Sequence, residues 1–282
     1  MNPTEIKAVL NKFGGGANKR LGQHFLIDRA TLEGIAAEAP VHTGGVILEI
    51  GPGLGVLTQA LQNKGCDVVA IERDRRFIGY LEKKLAQTDK KQGTVRIVPG
   101  DAIELDWNDV VGDVEWSLVS NLPYSITSFA LRKALCSPRP AEHVVVLVQR
   151  EVAVRAISVA SDGKKKGGKT SLLSLMVALS SESSRILRRV PAGSFFPPPK
   201  VESAVLEIIP MPMPAREAKW GMDPEKIMAV AKRGFAHPRK FLSSNLGVSA
   251  AVLEAAQIPP KARAEDLSPE AWARLAKGLK SP

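Results

Sequence analysis

The sequence predicts an α/β fold, in which a parallel sheet is covered by helices on both faces, followed by a small C-terminal helical domain. Short β-branched segments alternate with longer amphipathic segments between residues 44 and 149, which is typical of a parallel sheet with crossover helices. The stretch PMPMPAREAKWG (210–221) is rich in proline and has no periodicity, so we expect a linker there. Beyond it the pattern is helical, and Asp223-Pro224 and Ser268-Pro269 are expected helix starts.

The order of elements follows from the same patterns. A helix through Leu61 follows the first strand, and DRRFIGYLEKKLAQ (74–87) has apolar residues at helical spacing. After Glu151 we expect a helix to about residue 160 and another in TSLLSLMVALS (170–180). The five strands expected first are 45–50, 66–72, 94–101, 116–120 and 143–149, and two paired strands are expected at 183–190 and 200–209.

We therefore divide the 282-residue chain into two domains. The first covers residues 1–210 and includes an N-terminal arm, residues 1–26. The second covers residues 211–282 and is helical.

Charge and composition restrict the class of protein. The 39 Lys and Arg residues exceed the 29 Asp and Glu residues by ten, at a pI of about 9.7, which favours a nucleic-acid partner. No apolar run approaches the ~18 residues of a membrane span, and the N-terminus lacks the apolar block of a secretory signal. We expect a cytoplasmic protein without membrane contact.

Two distant cysteines and four scattered histidines indicate reduced thiols and no metal site. Nothing indicates a protein partner, and the absence of an unexplained apolar patch favours a monomer.

A glycine-rich loop, LEIGPGLGVLT (48–58), stands between an expected strand and an expected helix. Glycines allow the backbone to turn tightly and to approach a ligand without a Cβ atom in the way. The dinucleotide fingerprint would need a third glycine where Val56 stands, which disfavours NAD. Glu49 precedes the loop, and a carboxylate there suits a cationic ligand better than a pyrophosphate. The glycines expected to contact the ligand are Gly51, Gly53 and Gly55.

Two further acids stand at the ends of successive strands. Glu72 follows Gly51 by 21 residues, the spacing at which a carboxylate meets ribose hydroxyls in doubly wound sheets. Asp101, followed by Ala102, ends the third strand, where an acid can accept a hydrogen bond from an exocyclic amine. Glycines and acids at one edge of the sheet favour S-adenosyl-L-methionine, whose sulfonium is positively charged.

The tetrapeptide NLPY (121–124) follows the fourth strand and so belongs to the same edge. The N6 amine of adenine is a poor nucleophile because its lone pair is delocalised into the ring. Two acceptors, the Asn121 side-chain oxygen and the Leu122 carbonyl, would hold that nitrogen nearer to tetrahedral geometry. Pro123 keeps the corner rigid, and Tyr124 offers a stacking face worth ~1–3 kcal/mol per base. This scheme relies on positioning and electrostatics and needs no titrating base, and no histidine is near in the sequence.

With these motifs the chain resembles the ribosomal RNA adenine N6,N6-dimethyltransferases of the small subunit over nearly its whole length. The motifs are KRLGQHFLID (19–28), LEIGPGLGVLT, NLPYSITS (121–128) and FFPPPKVESAV (195–205). The resemblance implies a Rossmann-like class I S-adenosylmethionine-dependent methyltransferase domain. It also implies dimethylation of two adjacent adenosines in a hairpin near the 3′ end of 16S rRNA, in a late 30S assembly intermediate.

The resemblance also implies roles for single residues. His24 and Leu26 would line the cofactor pocket, and Phe195 would sandwich the target adenine opposite Tyr124. From the residues alone, Phe195 is only an aromatic side chain before a rigid proline run. Where the family usually has an Arg-Arg-Lys run in the helical tail, Pro238 stands in place of the first Arg. The residues expected to bind RNA are Lys200, Arg239 and Lys240.

Two alternatives are open at this point. A large-subunit rRNA adenine methyltransferase of the macrolide-resistance type would share the fold and mechanism, but that type typically reads Asn-Ile-Pro-Tyr and lacks the proline-rich motif. A non-catalytic RNA-binding assembly or transcription factor would keep the basic surface and lose the cofactor acids or the Asn.

Overall fold

A computed structural model describes residues 1–18, 21–41, 44–86, 92–159 and 169–279 of the chain. The segment SDGKKKGGK (161–169), whose composition predicts a solvent-exposed loop, lies outside these residues except for Lys169. The chain forms two compact units. The first comprises Met1–Ala153 and Ile186–Glu207, and the second comprises Val154–Arg185 and Ile208–Pro282.

This division differs from the predicted boundary at residue 210 in one segment. The chain passes from the first unit to the second for the last time between Glu207 and Ile208, which is close to the predicted boundary. Residues 154–185, which the sequence prediction assigned to the first domain, belong to the second unit. The physical reason is in α8 (Leu172–Ser180), whose side chains are buried along nearly its whole length and which contacts the later helix α10 (Pro224–Gly234).

Nine strands are found in the described part of the chain. Seven of them form one sheet in the order β4-β3-β2-β5-β6-β9-β7, and β1 pairs with β8. The neighbours β4, β3, β2, β5 and β6 are parallel. The strands are β1 Phe25–Leu26, β2 Val46–Ile50, β3 Val68–Glu72, β4 Val95–Pro99, β5 Trp116–Asn121, β6 Val144–Gln149, β7 Ser181–Val190, β8 Phe195–Phe196 and β9 Ser203–Pro210.

Thirteen α-helices accompany these strands in the same described residues. They alternate with the strands as far as α7, as a doubly wound α/β fold requires. Besides α8 and α10 they are α1 Pro3–Lys12, α2 Arg29–Glu38, α3 Val56–Asn63, α4 Arg75–Lys84, α5 Trp107–Val111, α6 Thr127–Cys136, α7 Arg150–Ala156, α9 Met213–Trp220, α11 Leu242–Leu246, α12 Ala250–Ala255 and α13 Pro269–Gly278.

The predicted strands are confirmed, with ends that differ by one or two residues at most positions. The apolar runs are buried on both faces, which a parallel sheet between two helical layers requires: in VVVLVQ (144–149) only the last residue is partly exposed. Since parallel strands end at the same edge, Ile50, Glu72 and Asn121 come together there.

The N-terminal arm contains an α-helix that packs into the first unit. Asn2 caps α1 and accepts a hydrogen bond from the Glu5 backbone N–H at 2.9 Å. Ile6 and Leu10 on its buried face join a core cluster with Leu54 and Phe77. The arm thus lies directly against the glycine loop and α4.

The second unit is helical, and its predicted caps are confirmed. Asp223 accepts from the Glu225 backbone N–H, and Ser268 accepts from that of Ala271. The prediction of a linker at 210–221 is wrong, because Met213–Trp220 is a helix. Its proline lies in the first turn, where no N–H is needed. The buried Trp220 indole donates to the Leu179 carbonyl at 3.0 Å.

Among the residues described, no helix combines the length and the apolar composition that crossing a membrane requires.

Candidate active site

A cleft opens in the first unit where β2, β3 and β5 end. Its walls come from the glycine loop, from Glu72 at the end of β3 and Asp101 after β4, from the NLPY tetrapeptide and from the N-terminal arm. The structure therefore brings together most of the residues predicted for cofactor and catalysis. Those that line the cleft are His24, Leu26, Glu49, Gly51, Gly53, Glu72, Asp101, Ala102, Asn121, Leu122, Pro123 and Tyr124.

Two of the three glycines shape the floor of the cleft. Gly51 and Gly53 have φ values of 68° and 57°, in the left-handed region that favours glycine. A Cβ atom at Gly51 would lie 3.4 Å from Pro123, and one at Gly53 would lie 3.2 Å from the Phe25 ring. The backbone here is therefore both bent and closely packed by the rigid corner on one side and the arm on the other.

Gly55 has a different role from the predicted one. It does not line the cleft. Its φ is 69° where α3 begins, and a Cβ atom would come within 2.7 Å of Leu81 on α4. Glycine is required at this position for helix packing, so the prediction that Gly55 binds the cofactor is not supported by its placement.

Glu72 is the carboxylate around which the loop is organised. Its Oε2 accepts from the Gly53 backbone N–H at 3.0 Å, and its Oε1 accepts from the Asp74 backbone N–H at 2.6 Å. Burial raises the pKa of Glu72 to about 7 despite these bonds. A carboxylate has about four lone-pair sites, so capacity for ligand hydroxyls is left over.

Glu49 is 2% exposed and faces the same cleft. Burial raises its pKa to about 8, and the Glu72 carboxyl adds to the rise, while Thr58 and Lys84 oppose it. Its Oε2 is buried without a hydrogen-bond partner from the described residues. Such an oxygen is costly unless something compensates it, and a cation bound in the cleft would do so.

Asp101 stands at the far side of the cleft, after β4. Its Oδ1 accepts from the Ile103 backbone N–H at 3.0 Å, and its Oδ2 pairs with Arg73 at 3.1 Å. Ala102, which is buried, also lines the wall. Sequence reasoning missed Arg73, although its place directly after Glu72 was a usable signal.

All four residues of the NLPY corner line the cleft. The Asn121 side chain donates through Nδ2 to the His24 carbonyl at 3.3 Å, which orients the amide. The Leu122 backbone N–H donates to Leu147 at 3.1 Å, which ties the corner to β6. From the described residues, no donor reaches the Asn121 Oδ1 or the Leu122 carbonyl, so both can accept from a ligand.

A histidine does stand beside this corner, which the sequence distance did not indicate. The rings of His24 and Tyr124 are stacked, with centroids 6.0 Å apart. Burial raises the pKa of Tyr124, and its hydroxyl lies 2.6 Å from the Ser203 hydroxyl. His24 is remote from this corner in the sequence, but the arm brings it into the same cleft, where the resemblance implied it.

The resemblance implied that Phe195 sandwiches the target adenine opposite Tyr124, and the structure buries its side chain. It is 2% exposed and belongs to the core cluster that includes Leu26 and Val190. It pairs with Leu26 in the short antiparallel ladder of β1 and β8. Phe195 does not line the cleft among the described residues, and its role opposite Tyr124 stays a prediction from the resemblance.

Gln23 is a lining residue that sequence reasoning missed. Its Oε1 accepts from the Asn18 backbone N–H at 2.8 Å, and its Nε2 donates to Asp74 at 2.8 Å. Asp74 is in turn paired with Arg76 at 2.6 Å. Gln23 thus fastens the arm to the start of α4, next to Glu72.

The residues predicted to bind RNA are exposed. Lys200 belongs to the first unit and follows the proline run. Arg239 and Lys240 belong to the second unit and lie between α10 and α11. Their side chains are therefore accessible to a phosphate group.

Known proteins resemble this chain over almost its whole length. The family model described as ribosomal RNA adenine dimethylase matches residues 15–281. A protein of Dehalococcoides mccartyi (strain CBDB1) called ribosomal RNA small subunit methyltransferase A is 35% identical over 280 residues, covering 96% of this chain and 91% of that protein. The protein of the same name from Synechococcus elongatus is 37% identical, covering 94% and 96%.

Solved structures show the same fold. A dimethyladenosine transferase from Plasmodium falciparum superposes with a TM-score of 0.68 at 23% identity, covering 89% of this chain and 96% of that one. The 23S rRNA methyltransferase ErmE superposes with a TM-score of 0.65 at 24% identity, covering 90% and 99%. At these identities the likeness concerns the architecture, an α/β methyltransferase with a helical C-terminal region.

Proposed function

This chain belongs to the ribosomal RNA adenine dimethylase family, and we propose that it dimethylates N6 of two adjacent adenosines in a hairpin near the 3′ end of 16S rRNA. The methyl donor is S-adenosyl-L-methionine, and the enzyme is a small-subunit rRNA adenine N6,N6-dimethyltransferase. We further propose that the substrate is a late 30S assembly intermediate.

The chemistry of the cleft fits this donor. The buried Glu49 and Glu72 carboxyls suit a cationic group, and the bent backbone at Gly51 and Gly53 allows close approach of a ligand. When bound, S-adenosyl-L-methionine supplies a methyl group on a positively charged sulfur. We propose that Glu72 accepts from the ribose hydroxyls and that Asp101 accepts from the adenine amine.

One observation carries the proposed reaction: Asn121 and Leu122 line the same cleft as the cofactor acids, and no described residue donates to the Asn121 Oδ1 or to the Leu122 carbonyl. Together they can accept both N6 hydrogens of an adenine and free the nitrogen lone pair. Pro123, at φ −56°, holds the corner rigid, and Tyr124 offers a stacking face. These groups act by preorganisation, which lowers the barrier without a change in their own charge.

The direct test uses radiolabelled S-adenosyl-L-methionine with unmethylated small subunits, large subunits and naked small-subunit rRNA, followed by separation of the labelled nucleosides. We expect N6,N6-dimethyladenosine in the small subunit. Label in the large subunit would instead favour the macrolide-resistance type of enzyme. Bound RNA without label would favour a non-catalytic assembly factor.

Cofactor affinity should depend on pH. Burial raises the pKa values of Glu49 and Glu72 to about 8 and about 7, so both are largely protonated in the folded free protein below pH 7. A cation favours the ionised carboxylates. The affinity for S-adenosyl-L-methionine relative to the uncharged S-adenosylhomocysteine should therefore rise, by about tenfold between pH 6 and pH 9. Calorimetry at both pH values checks this ratio.

The same raised pKa values determine how the stability of the free protein changes with pH. At Glu49 and Glu72 the folded state of the free protein binds more protons than the unfolded state between about pH 4.5 and pH 8, so the contribution of these two groups to the free energy of unfolding falls as pH rises through that window. Glu49→Gln should flatten both the stability profile and the affinity ratio. An affinity ratio that stays constant with pH would contradict the assigned electrostatic role.

RNA binding should weaken steeply with salt. If the net charge of +10 serves phosphate contact, log affinity falls against log salt with a slope near −0.9 per duplex phosphate neutralised. Lys200→Ala, Arg239→Ala and Lys240→Ala should each reduce the magnitude of that slope by about 1. Lys83→Ala, an exposed lysine on α4, is the matched control. Filter binding at several salt concentrations measures the slopes. A variant whose slope equals that of the unmodified protein would show that the substituted residue does not contact RNA phosphates.

A further inference from the structure

Phe241, in the second unit, is an exposed aromatic side chain. Of the Phe, Tyr and Trp residues in the described part of the chain it alone is exposed, with 43% of its surface open to solvent. Phe235 in the same segment is different, since its ring is stacked on that of Trp272 with centroids 5.7 Å apart. Among the described residues the Phe241 ring makes no stacked, edge-on or cation–π contact. Its ring is therefore open to a ligand.

The position of Phe241 in the fold does not account for an aromatic residue. Phe241 is the N-cap of α11, with φ −65° and ψ 151°, and its side chain makes no capping hydrogen bond. Ser, Thr, Asp and Asn are preferred there because a side-chain oxygen accepts from a free N–H of the first turn. The caps of α10 and α13 in the same unit, Asp223 and Ser268, follow that rule. The Phe241 ring provides neither a cap nor a buried core contact.

The ring lies in a strongly basic segment, KRGFAHPRKF (232–241), which contains no acidic residue. Among the described residues, no carboxylate pairs with any of its Lys or Arg side chains, which are all exposed. A solvent-open ring among unpaired cations is the combination with which proteins bind unpaired nucleic acid, because bases stack on the ring and phosphates contact the cations. The four cations are Lys232, Arg233, Arg239 and Lys240.

Hydrogen bonds fix the turn that carries these groups. The Asn245 side chain donates through Nδ2 to the Gly234 carbonyl at 2.6 Å and to the His237 carbonyl at 3.0 Å. The Lys240 backbone N–H donates to the same His237 carbonyl at 3.0 Å. The backbone at Phe241 is thus held before RNA binds, so little ordering is required on association.

We propose that Phe241 is an RNA-contacting residue on which an unpaired base of the small-subunit rRNA stacks, while Arg239 and Lys240 contact neighbouring phosphates. This inference rests on the proposed function, since it takes small-subunit rRNA as the substrate. Stacking tolerates any base, because every base has a π-face. The contact therefore adds affinity and leaves the choice of the target adenosine to the cleft in the first unit.

The test compares Phe241→Ser with the unmodified protein on unmethylated small subunits and on naked small-subunit rRNA, by filter binding at several salt concentrations. We expect the affinity for both to fall about 5- to 150-fold. The slope of log affinity against log salt should not change, because the ring neutralises no phosphate. The melting temperature should not fall, because serine supplies the missing cap of α11.

Three further variants separate stacking from general apolar contact. Phe241→Tyr keeps a ring, and its affinity should stay within about threefold of that of the unmodified protein. Phe241→Leu keeps an apolar side chain without a ring and should resemble Phe241→Ser. Met213→Ser is the matched control, since it removes an exposed apolar side chain from α9 of the same unit, and it should leave the affinity unchanged. Full affinity in Phe241→Leu would overturn the proposal.

The remaining outcomes are also decisive. A loss on small subunits without a loss on naked rRNA, or no binding of naked rRNA by the unmodified protein, would assign Phe241 to a protein surface of the subunit and overturn the proposal. A loss accompanied by a smaller salt slope would also overturn it, because Phe241 would then only position Arg239 and Lys240. Unchanged affinity of Phe241→Ser on both substrates would overturn this contact alone, provided that the protein still dimethylates small subunits. If the unmodified protein methylates no small subunit, the proposed function itself fails.

Discussion

Asn121→Ala is expected to reduce methyl transfer to unmethylated small subunits by about 10²- to 10³-fold in kcat/KM. The magnitude is that of removing one preorganised hydrogen-bonding group from a catalytic site. RNA affinity should change less than about threefold, because the proposed role of the Asn121 oxygen involves only N6 of the base. Initial rates with radiolabelled cofactor and anisotropy with labelled RNA measure the two quantities separately.

Asn63→Ala is the matched control for this substitution, since Asn63 is an exposed residue at the end of α3. It should leave both quantities unchanged. If Asn121→Ala lowered RNA affinity as much as it lowered the rate, Asn121 would be part of RNA docking, and the role of an acceptor for N6 would have to be abandoned.

Glu72→Ala is expected to weaken both S-adenosyl-L-methionine and S-adenosylhomocysteine binding by about 10- to 150-fold. The reason is that hydrogen bonds to a charged group typically contribute ~1.5–3 kcal/mol, and the two ligands share the ribose. The substitution also removes the acceptor of the Gly53 and Asp74 backbone N–H groups, so the glycine loop loses its support. Calorimetry with each ligand gives the affinities.

Two variants make the result interpretable. Glu82→Ala removes an exposed carboxylate from α4 and should have no effect on binding. Glu72→Gln keeps one acceptor oxygen and should fall between Glu72→Ala and the unmodified protein. Unchanged affinity in a folded Glu72→Ala protein, as judged by its melting curve, would move the ribose contact to another residue.

The sheet could be predicted from the sequence because its central strands are continuous apolar runs whose burial follows from two helical layers. The ladder of β1 and β8 could not, since each strand has two residues and its partner is remote in sequence. The helix α9 was mistaken for a linker because prolines interrupt periodicity, although a proline in the first turn leaves the hydrogen-bond ladder intact.

In the site, the positions of the acids and of NLPY could be predicted because these residues stand at the ends of parallel strands. Parallel strands end at the same edge of the sheet. What spacing does not reveal is the direction in which a residue faces. Gly55 belongs to the same loop as Gly53, yet it faces Leu81 and not the cleft. His24 stands beside Tyr124 because the arm folds across the cleft, which no local pattern expresses.

The pairing of β1 with β8 has a consequence for synthesis on the ribosome. Phe25 pairs with Phe196, about 170 positions later in the chain. At roughly 5 to 20 residues per second, the nascent arm waits about 10 to 35 seconds for its partner strand. During translation the arm therefore lacks this strand partner until most of the protein has been made, and a chain terminated before residue 195 would not form the ladder of β1 and β8.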